Sequence, residues 1–248
     1  MVKGLYESAH GLGKEQGMNL PDVVSQQEWE EANKEILAKE KALTRQGDAL
    51  AAERRRQPIM RVEKEYEFEG PTGRATLLDL FEGRRQLFVY NFMFGPNQEV
   101  GCDGCSMVLD QLTHPAHLHA RDTSFALASR ASFEKLERYR ERMGWEVPWY
   151  SWGGGTYGVD LGLSPPEPKV GEYQDGEMFG LNAFFREGDE IYRTYFTSWR
   201  GLEVIGPVWS YLDRSLLGRQ ETWEDSPEGW PQAAPYDWWR RHDEYEER

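Results

Sequence analysis

The chain has 248 residues, 39% hydrophobic and 29% charged, which is enough to bury a substantial core without disulfide staples. Its formal net charge of −14, from 29 basic and 43 acidic side chains, argues against nucleic acid or an anionic membrane as a partner, since both need a basic surface. No apolar run reaches the ~18 residues of a membrane span, and "MVKGLYESAHGLGKEQG" lacks the apolar core of a signal peptide, so a reducing, cytoplasmic location is expected.

Residues 1 to 24 are aperiodic and read as a loose arm. "SQQEWEEANKEILAKEKALTRQGDALAAERRRQP" predicts a long helix, with Ser25 and Glu28 as a capping box and Pro58 beyond its end. Trp29, Ile36, Leu43 and Leu50 recur every seven residues as a narrow stripe that either packs on the parent domain or makes a homodimer contact. Arg54, Arg55 and Arg56 form the one basic patch, at a helix C-terminus where cations favour the macrodipole.

From about residue 61 the period becomes that of strands. "RVEKEYEFEG" alternates, "GPTG" turns, and "TLLDLF" leads into "RQLFVYNFMF", a nearly continuous apolar run suited to a strand buried on both faces. A helical pattern follows the cysteines and breaks near Pro115. "TSFALASR" is a second buried strand. "SFEKLERYRERMG" is an amphipathic helix, with Ser132 at its start and Gly144 near its end.

Past "EVPWYSWGGGTYGVDLGL" comes a Pro/Gly/Glu-rich connection, residues 164 to 177. "GLNAFFREGDEIYRTYF" is a hairpin turning at Glu187–Gly188–Asp189. Leu202, Ile205, Trp209, Leu212 and Leu216 make a helical stripe ending at Gly218, and residues 219 to 248 are an acidic, tryptophan-rich tail. The expected organisation is an arm and long helix over 1–60, an α/β domain over 61–218 and a tail over 219–248 packed on that domain. A strand–helix–strand–helix order favours parallel strands with right-handed crossovers, and a thioredoxin-like fold has this plan.

"GCDGCS" holds the only two cysteines, Cys102 and Cys105, at the carboxyl end of a central strand, where α/β folds place their sites. In a reducing compartment such a pair is catalytic or metal-binding, or merely two small core residues. At a helix start, unpaired N–H groups and the dipole stabilise a thiolate. Cys102 is then the exposed nucleophile and Cys105 the resolving thiol, with Asp103 raising the thiol pKa by like-charge repulsion.

The metal alternative uses Cys102, Cys105 and His117, from the run His114, His117, His119, to hold Cu(I) or Zn. The protein would then be a metallochaperone or a metal-dependent oxidase. Arg130, ending the second central strand, either orients a thiolate or peroxide oxygen or makes a surface ion pair. Trp149, Tyr150 and Trp152 either wall a substrate site beside the Gly153–Gly155 run or pack in the core. His242 and Asp243 resemble a dyad, but no nucleophile accompanies them.

"EWEEANKEILAKEKALTRQGDALAAERRRQP", "VEKEYEFEGPTG", "LLDLFEGRRQLFVYNFMFGP", "GCDGCS", "HLHARD", "ASRASFEKLERYRERMGW", "YLDRSLLGR" and "RRHDEY" together resemble the bacterial thioredoxin-like family called domain of unknown function 899, a distant relative of the peroxiredoxins. The resemblance spans most of residues 26 to 245. It implies a thioredoxin-like sheet flanked by helices, a long N-terminal helix and an extended tail. It also implies that Cys102 and Cys105 are the family's cysteine pair, with Arg130 in its Ser-Arg-Ala segment.

Asn91 stands where that family's histidine is expected, removing a possible proton donor near the site, and "SWGGGTYGVD" departs from the family pattern. No proline begins the strand at Gly180–Leu181, where thioredoxins hold a partner chain. The expected function is thiol–disulfide oxidoreduction of a disulfide or peroxide, in a small molecule or a protein. No resident cofactor is expected, and an external thiol reductant recycles the pair.

Overall fold

The computed structural model describes residues 20–226 and 228–245. The chain divides into two compact units. One comprises residues through Arg55 together with Leu212–Trp238; the other comprises Arg56–Tyr211 and the chain from Trp239 on.

In the first unit, α1 (Gln26–Arg54) begins as expected. Ser25 accepts a hydrogen bond from the Glu28 N–H, and the Glu28 carboxylate accepts from the Ser25 N–H at 3.0 Å. No α1 side chain is buried, and Trp29, Ile36, Leu43 and Leu50 are all exposed. The segment Leu212–Trp238 is more ordered than a tail. Buried Glu221 accepts from the Tyr236 N–H at 3.0 Å, from the Trp238 indole at 2.8 Å and from the Trp223 indole. A carboxylate gathering indole donors in this way has no periodic signature in sequence.

The second unit is built on one eight-stranded sheet. Its strands are β1 (Met60–Arg61), β2 (Glu67–Gly70), β3 (Gly73–Thr76), β4 (Gln86–Asn91), β5 (Thr123–Ser129), β6 (Trp149–Ser151), β7 (Gly180–Glu187) and β8 (Glu190–Thr197), in the order β1-β8-β7-β4-β5-β6-β2-β3. β4, β5 and β6 are parallel neighbours, and β7 runs antiparallel beside β4. The crossovers carry α2 (Asp103–Asp110), α3 (Pro115–His119) and α4 (Phe133–Arg142). α5 (Tyr157–Asp160) and α6 (Pro207–Leu212) are short. Parallel strands joined through helices beside an antiparallel hairpin make this a thioredoxin-like fold.

β4 shows why its middle, Leu87–Tyr90, is apolar without a break. Leu87 and Val89 enter a core cluster on one face with Phe68, Phe81, Tyr150 and Trp152. Tyr90 and Phe92 enter the other with Leu127, Leu136, Tyr139, Trp149 and both cysteines. The helical stripe expected over Leu202–Leu216 is not one helix. Short 3-10 turns at Trp199–Gly201 and Glu203–Ile205 are followed by α6, because Gly206 and Pro207 interrupt the pattern and proline lacks the N–H that would continue it.

Candidate active site

Cys102 is the N-cap residue of α2. Its Sγ accepts a hydrogen bond from the Cys105 N–H at 3.3 Å, taking the part a serine oxygen usually plays. The Cys102 N–H is tied to the Met93 carbonyl at 3.1 Å, so the end of the β4 segment sets where the sulfur lies. The Cys102 thiol is held below its ordinary pKa, first by the Cys105 thiol and then by the Cys105 and Gly104 N–H groups and the Tyr173 hydroxyl, all acting against desolvation. Burial pushes the Cys105 thiol well up, as does its partnership with Cys102, so Cys102 is the more acidic of the two. Both thiols are free.

Asp103 does not work against this. Its carboxylate is paired with the Arg241 guanidinium at 2.8 Å, so the like charge expected beside the sulfur is compensated. Arg241, itself almost fully buried, also donates to the Gly101 carbonyl at 2.6 Å and to the Tyr139 hydroxyl at 2.7 Å. Tyr139 shares a 2.9 Å hydrogen bond with the Ser106 hydroxyl, which donates to the Cys102 carbonyl at 2.9 Å. A single guanidinium thus grips the residues on both sides of Cys102.

Cys102 is not the exposed nucleophile expected from sequence, for only 5% of its surface is accessible. Two side chains stand close to it. Tyr173, with 63% of its own surface exposed, reaches in with its hydroxyl to the sulfur. Burial and the nearby Cys102 and Asp103 charges raise the pKa of that hydroxyl, so it remains a donor. Trp239 lies over Gly104. A methyl group built there would come within 2.7 Å of the indole and 3.9 Å of the Cys102 Sγ, so only glycine fits beneath the ring unless the ring moves. Beneath the pair, the buried Tyr90 hydroxyl has no nitrogen or oxygen partner among the described residues and faces the Cys105 sulfur.

The Tyr173 loop is held in an unusual backbone. Gln174, Asp175 and Gly176 are consecutively left-handed, at φ 50°, 56° and 79°. Non-glycine residues adopt that region at a cost and need local support. Gln174 supplies it by accepting from the Gly95 N–H at 3.2 Å and donating to the Val100 carbonyl at 3.0 Å. Asp175 accepts from the Asn97 N–H at 2.8 Å and the Gln98 amide at 3.0 Å. These bonds fasten the loop to the segment that leads into the cysteines.

The other expected site residues are placed elsewhere. Arg130 donates to the Pro165 and Pro166 carbonyls at 2.8 and 2.9 Å, lies 3.5 Å from Glu177 and stacks 5.1 Å over Trp152, so it is not brought to the thiols. Trp149, Tyr150 and Trp152 are buried and form no substrate wall; the first two lie on β6, a strand between β5 and β2. The Trp149 indole donates to Ser129 at 3.0 Å within a ring cluster of Phe92, Phe94, Tyr139 and Trp145. His114, His117 and His119 are exposed, and among the described residues no group of three His, Cys, Asp or Glu side chains is arranged to hold a metal; His117 does not join the cysteines.

Asn91 shares the face of Leu87 and Val89, opposite the cysteines, and donates to the Met178 carbonyl at 2.6 Å. Its replacement of a histidine therefore falls outside the site. His242 and Asp243 are no dyad: His242 pairs with Asp110 at 2.8 Å and Asp243 with Arg142 at 2.8 Å. Tyr173, Trp239 and Arg241 were missed from sequence. The only signals were a lone tyrosine in a polar connection and a basic pair in an acidic tail.

A thiol pair at a helix start, at the carboxyl end of a central strand, defines the class: a thioredoxin-like fold carrying a vicinal dithiol. Residues 18–245 match the family described as "Bacterial protein of unknown function (DUF899)", and the chain belongs to that family. No curated protein matches it. Among solved structures it is similar to the peroxidoxin BcpB of Mycobacterium tuberculosis, at 16% identity and a TM-score of 0.40 over 54% of this chain and 81% of that one. It is also similar to the bacterioferritin comigratory protein of Xanthomonas campestris, for which alkyl peroxide reduction is described, at 14% and 0.40 over 56% and 86%. A third is the yeast mitochondrial 1-Cys peroxiredoxin, at 11% and 0.40 over 63% and 78%. No described helix is long and apolar enough to cross a membrane.

Proposed function

We propose that this protein is a thiol–disulfide oxidoreductase in which Cys102 attacks a disulfide or peroxide and Cys105 resolves the adduct. The observation that carries this reading is the split between the two sulfurs. Cys102 caps α2 and is lowered in pKa, while Cys105, one turn inward, is raised and hydrogen-bonded to it. Cys102 is thereby the more acidic sulfur and the better placed to attack, and Cys105 the one to resolve.

With a peroxide, the Cys102 thiolate forms an S–O bond, the O–O bond breaks, and the departing alkoxide takes a proton to leave as an alcohol or water. Cys105 then attacks the sulfenic acid, the S–O bond breaks, water leaves, and a Cys102–Cys105 disulfide remains. With a disulfide substrate, a mixed disulfide takes the place of the sulfenic acid. In either case the protein loses two electrons, and an external thiol reductant restores them.

The test is thiol counting and intact mass after one equivalent of oxidant. Wild-type protein is expected to lose both thiols and 2 hydrogen masses reversibly (about 2 Da), as one disulfide requires. Cys105→Ser is expected to stop at a Cys102 sulfenic acid or mixed disulfide. Cys102→Ser is expected to lose no thiol at a comparable rate. Oxidation of Cys105 alone, with Cys102 untouched, would overturn the assignment.

A further inference from the structure

We infer that the carboxy-terminal strap, Trp239 to Tyr245, is the specificity determinant of the Cys102 site, confining its reduced form to small electrophiles of the hydroperoxide class and refusing protein disulfides. This rests on the redox reading above and narrows it to a substrate class. The strap belongs to the same compact unit as the cysteines.

Its fastening is extensive and specific. Arg241 binds the Gly101 carbonyl, Asp103 and Tyr139; Arg142 takes Asp243 at 2.8 Å and Glu244 at 2.9 Å; His242 takes Asp110 at 2.8 Å. Trp239 is wedged between Gly104 and the fully buried Trp209, with the indole rings 5.7 Å apart. The Trp239 and Arg241 contacts reach the first turn of α2, and the others anchor the strap to α4 and to the last residue of α2. Charge-assisted bonds to a buried guanidinium are the stronger kind, so the strap is a built cover.

The geometry of attack explains the selection. Substitution at a peroxide or disulfide needs the sulfur, the attacked atom and the leaving atom nearly in line. The attacked oxygen of a hydroperoxide carries only hydrogen, so it demands little of the room left around Cys102, a residue only 5% exposed. The attacked sulfur of a protein disulfide carries a carbon chain beside the approach line and a polypeptide behind it. Trp239 lies against Gly104 and Arg241 holds Gly101 and Asp103, so the strap crowds the residues flanking Cys102 on which such a chain would have to rest. Tyr173 offers its hydroxyl on the remaining side, where a departing oxygen can take up a proton. The selection acts on the reduced state, with both thiols free, so regeneration by an external reductant is a separate step.

The experiment follows single-turnover loss of thiols in reduced full-length protein mixed with hydrogen peroxide or with insulin as a protein disulfide. Two variants loosen the strap by independent means: Arg241→Met removes the links to Gly101, Asp103 and Tyr139, and Gly104→Ala pushes on the Trp239 ring. In each, the ratio of the insulin rate to the peroxide rate is expected to rise, by ~10-fold or more in Arg241→Met, as loss of a charge-assisted hydrogen bond implies. A wild-type protein that reacts readily with insulin, or a ratio within about twofold of wild type in both variants, overturns the inference while leaving the dithiol chemistry intact. Absence of thiol loss with either oxidant, in wild type and variants alike, instead overturns the redox reading and the inference with it.

Discussion

Glu177 offers the sharpest physical test, because its carboxyl is buried and its pKa is pushed up to about 7. Desolvation is the main cause; the Ser164 hydroxyl and the Arg130 guanidinium pull the other way without prevailing. In the unfolded chain the group has its ordinary value of 4.5. Between these values the native state holds a proton that the unfolded state has lost, so stability falls as pH rises. The contribution is complete below the unfolded pKa and is gone once pH has passed through about 7. Integrated from about pH 5 to about pH 8, the loss is ~2.5 kcal/mol. Glu177→Gln mimics the protonated carboxyl and removes the titration. Urea unfolding of both proteins at the two pH values should show the wild type losing about 2.5 kcal/mol more than the variant across that interval. Parallel behaviour, within about 0.5 kcal/mol, would refute the claim that burial outweighs Arg130 here.

Three further outcomes follow from the site. Tyr173→Phe should raise the pH midpoint of Cys102 thiolate formation, read by ultraviolet absorbance, because one donor to the sulfur is lost; Cys105→Ala should raise it further, since the Cys105 thiol is the larger contributor. An unchanged midpoint in Tyr173→Phe would show that the hydroxyl does not serve the sulfur. Trp149→Ala should cost ~3–5 kcal/mol in chemical unfolding, as expected for a fully buried indole with a Ser129 hydrogen bond. If Trp149→Ala instead left stability unchanged and altered only the reaction with substrate, the ring would belong to the site after all. Arg130→Met should weaken the fold with little change in the Cys102 midpoint, because its guanidinium serves Pro165, Pro166 and Glu177.

The sequence by itself determined the elements whose signals are local. The Ser25–Glu28 capping box, the two-faced apolar run of β4, the Glu187–Asp189 hairpin turn and the cysteines at the start of α2 each depend on neighbours within a few residues. Period, capping chemistry and turn residues record such contacts directly. The close spacing of Cys102 and Cys105 was legible for the same reason.

Tertiary structure decided what lies over those cysteines. Tyr173 is about 70 residues from Cys102 in sequence and Trp239 and Arg241 nearly 140, and nothing in the intervening spacing encodes their approach. The same holds for Arg130, whose partners are the carbonyls of a loop more than 30 residues away, and for Trp149, whose strand position fixes it in the core. Exposure is a property of the whole packed chain: a residue's own sequence can make a sulfur nucleophilic, but distant segments decide what is able to touch it.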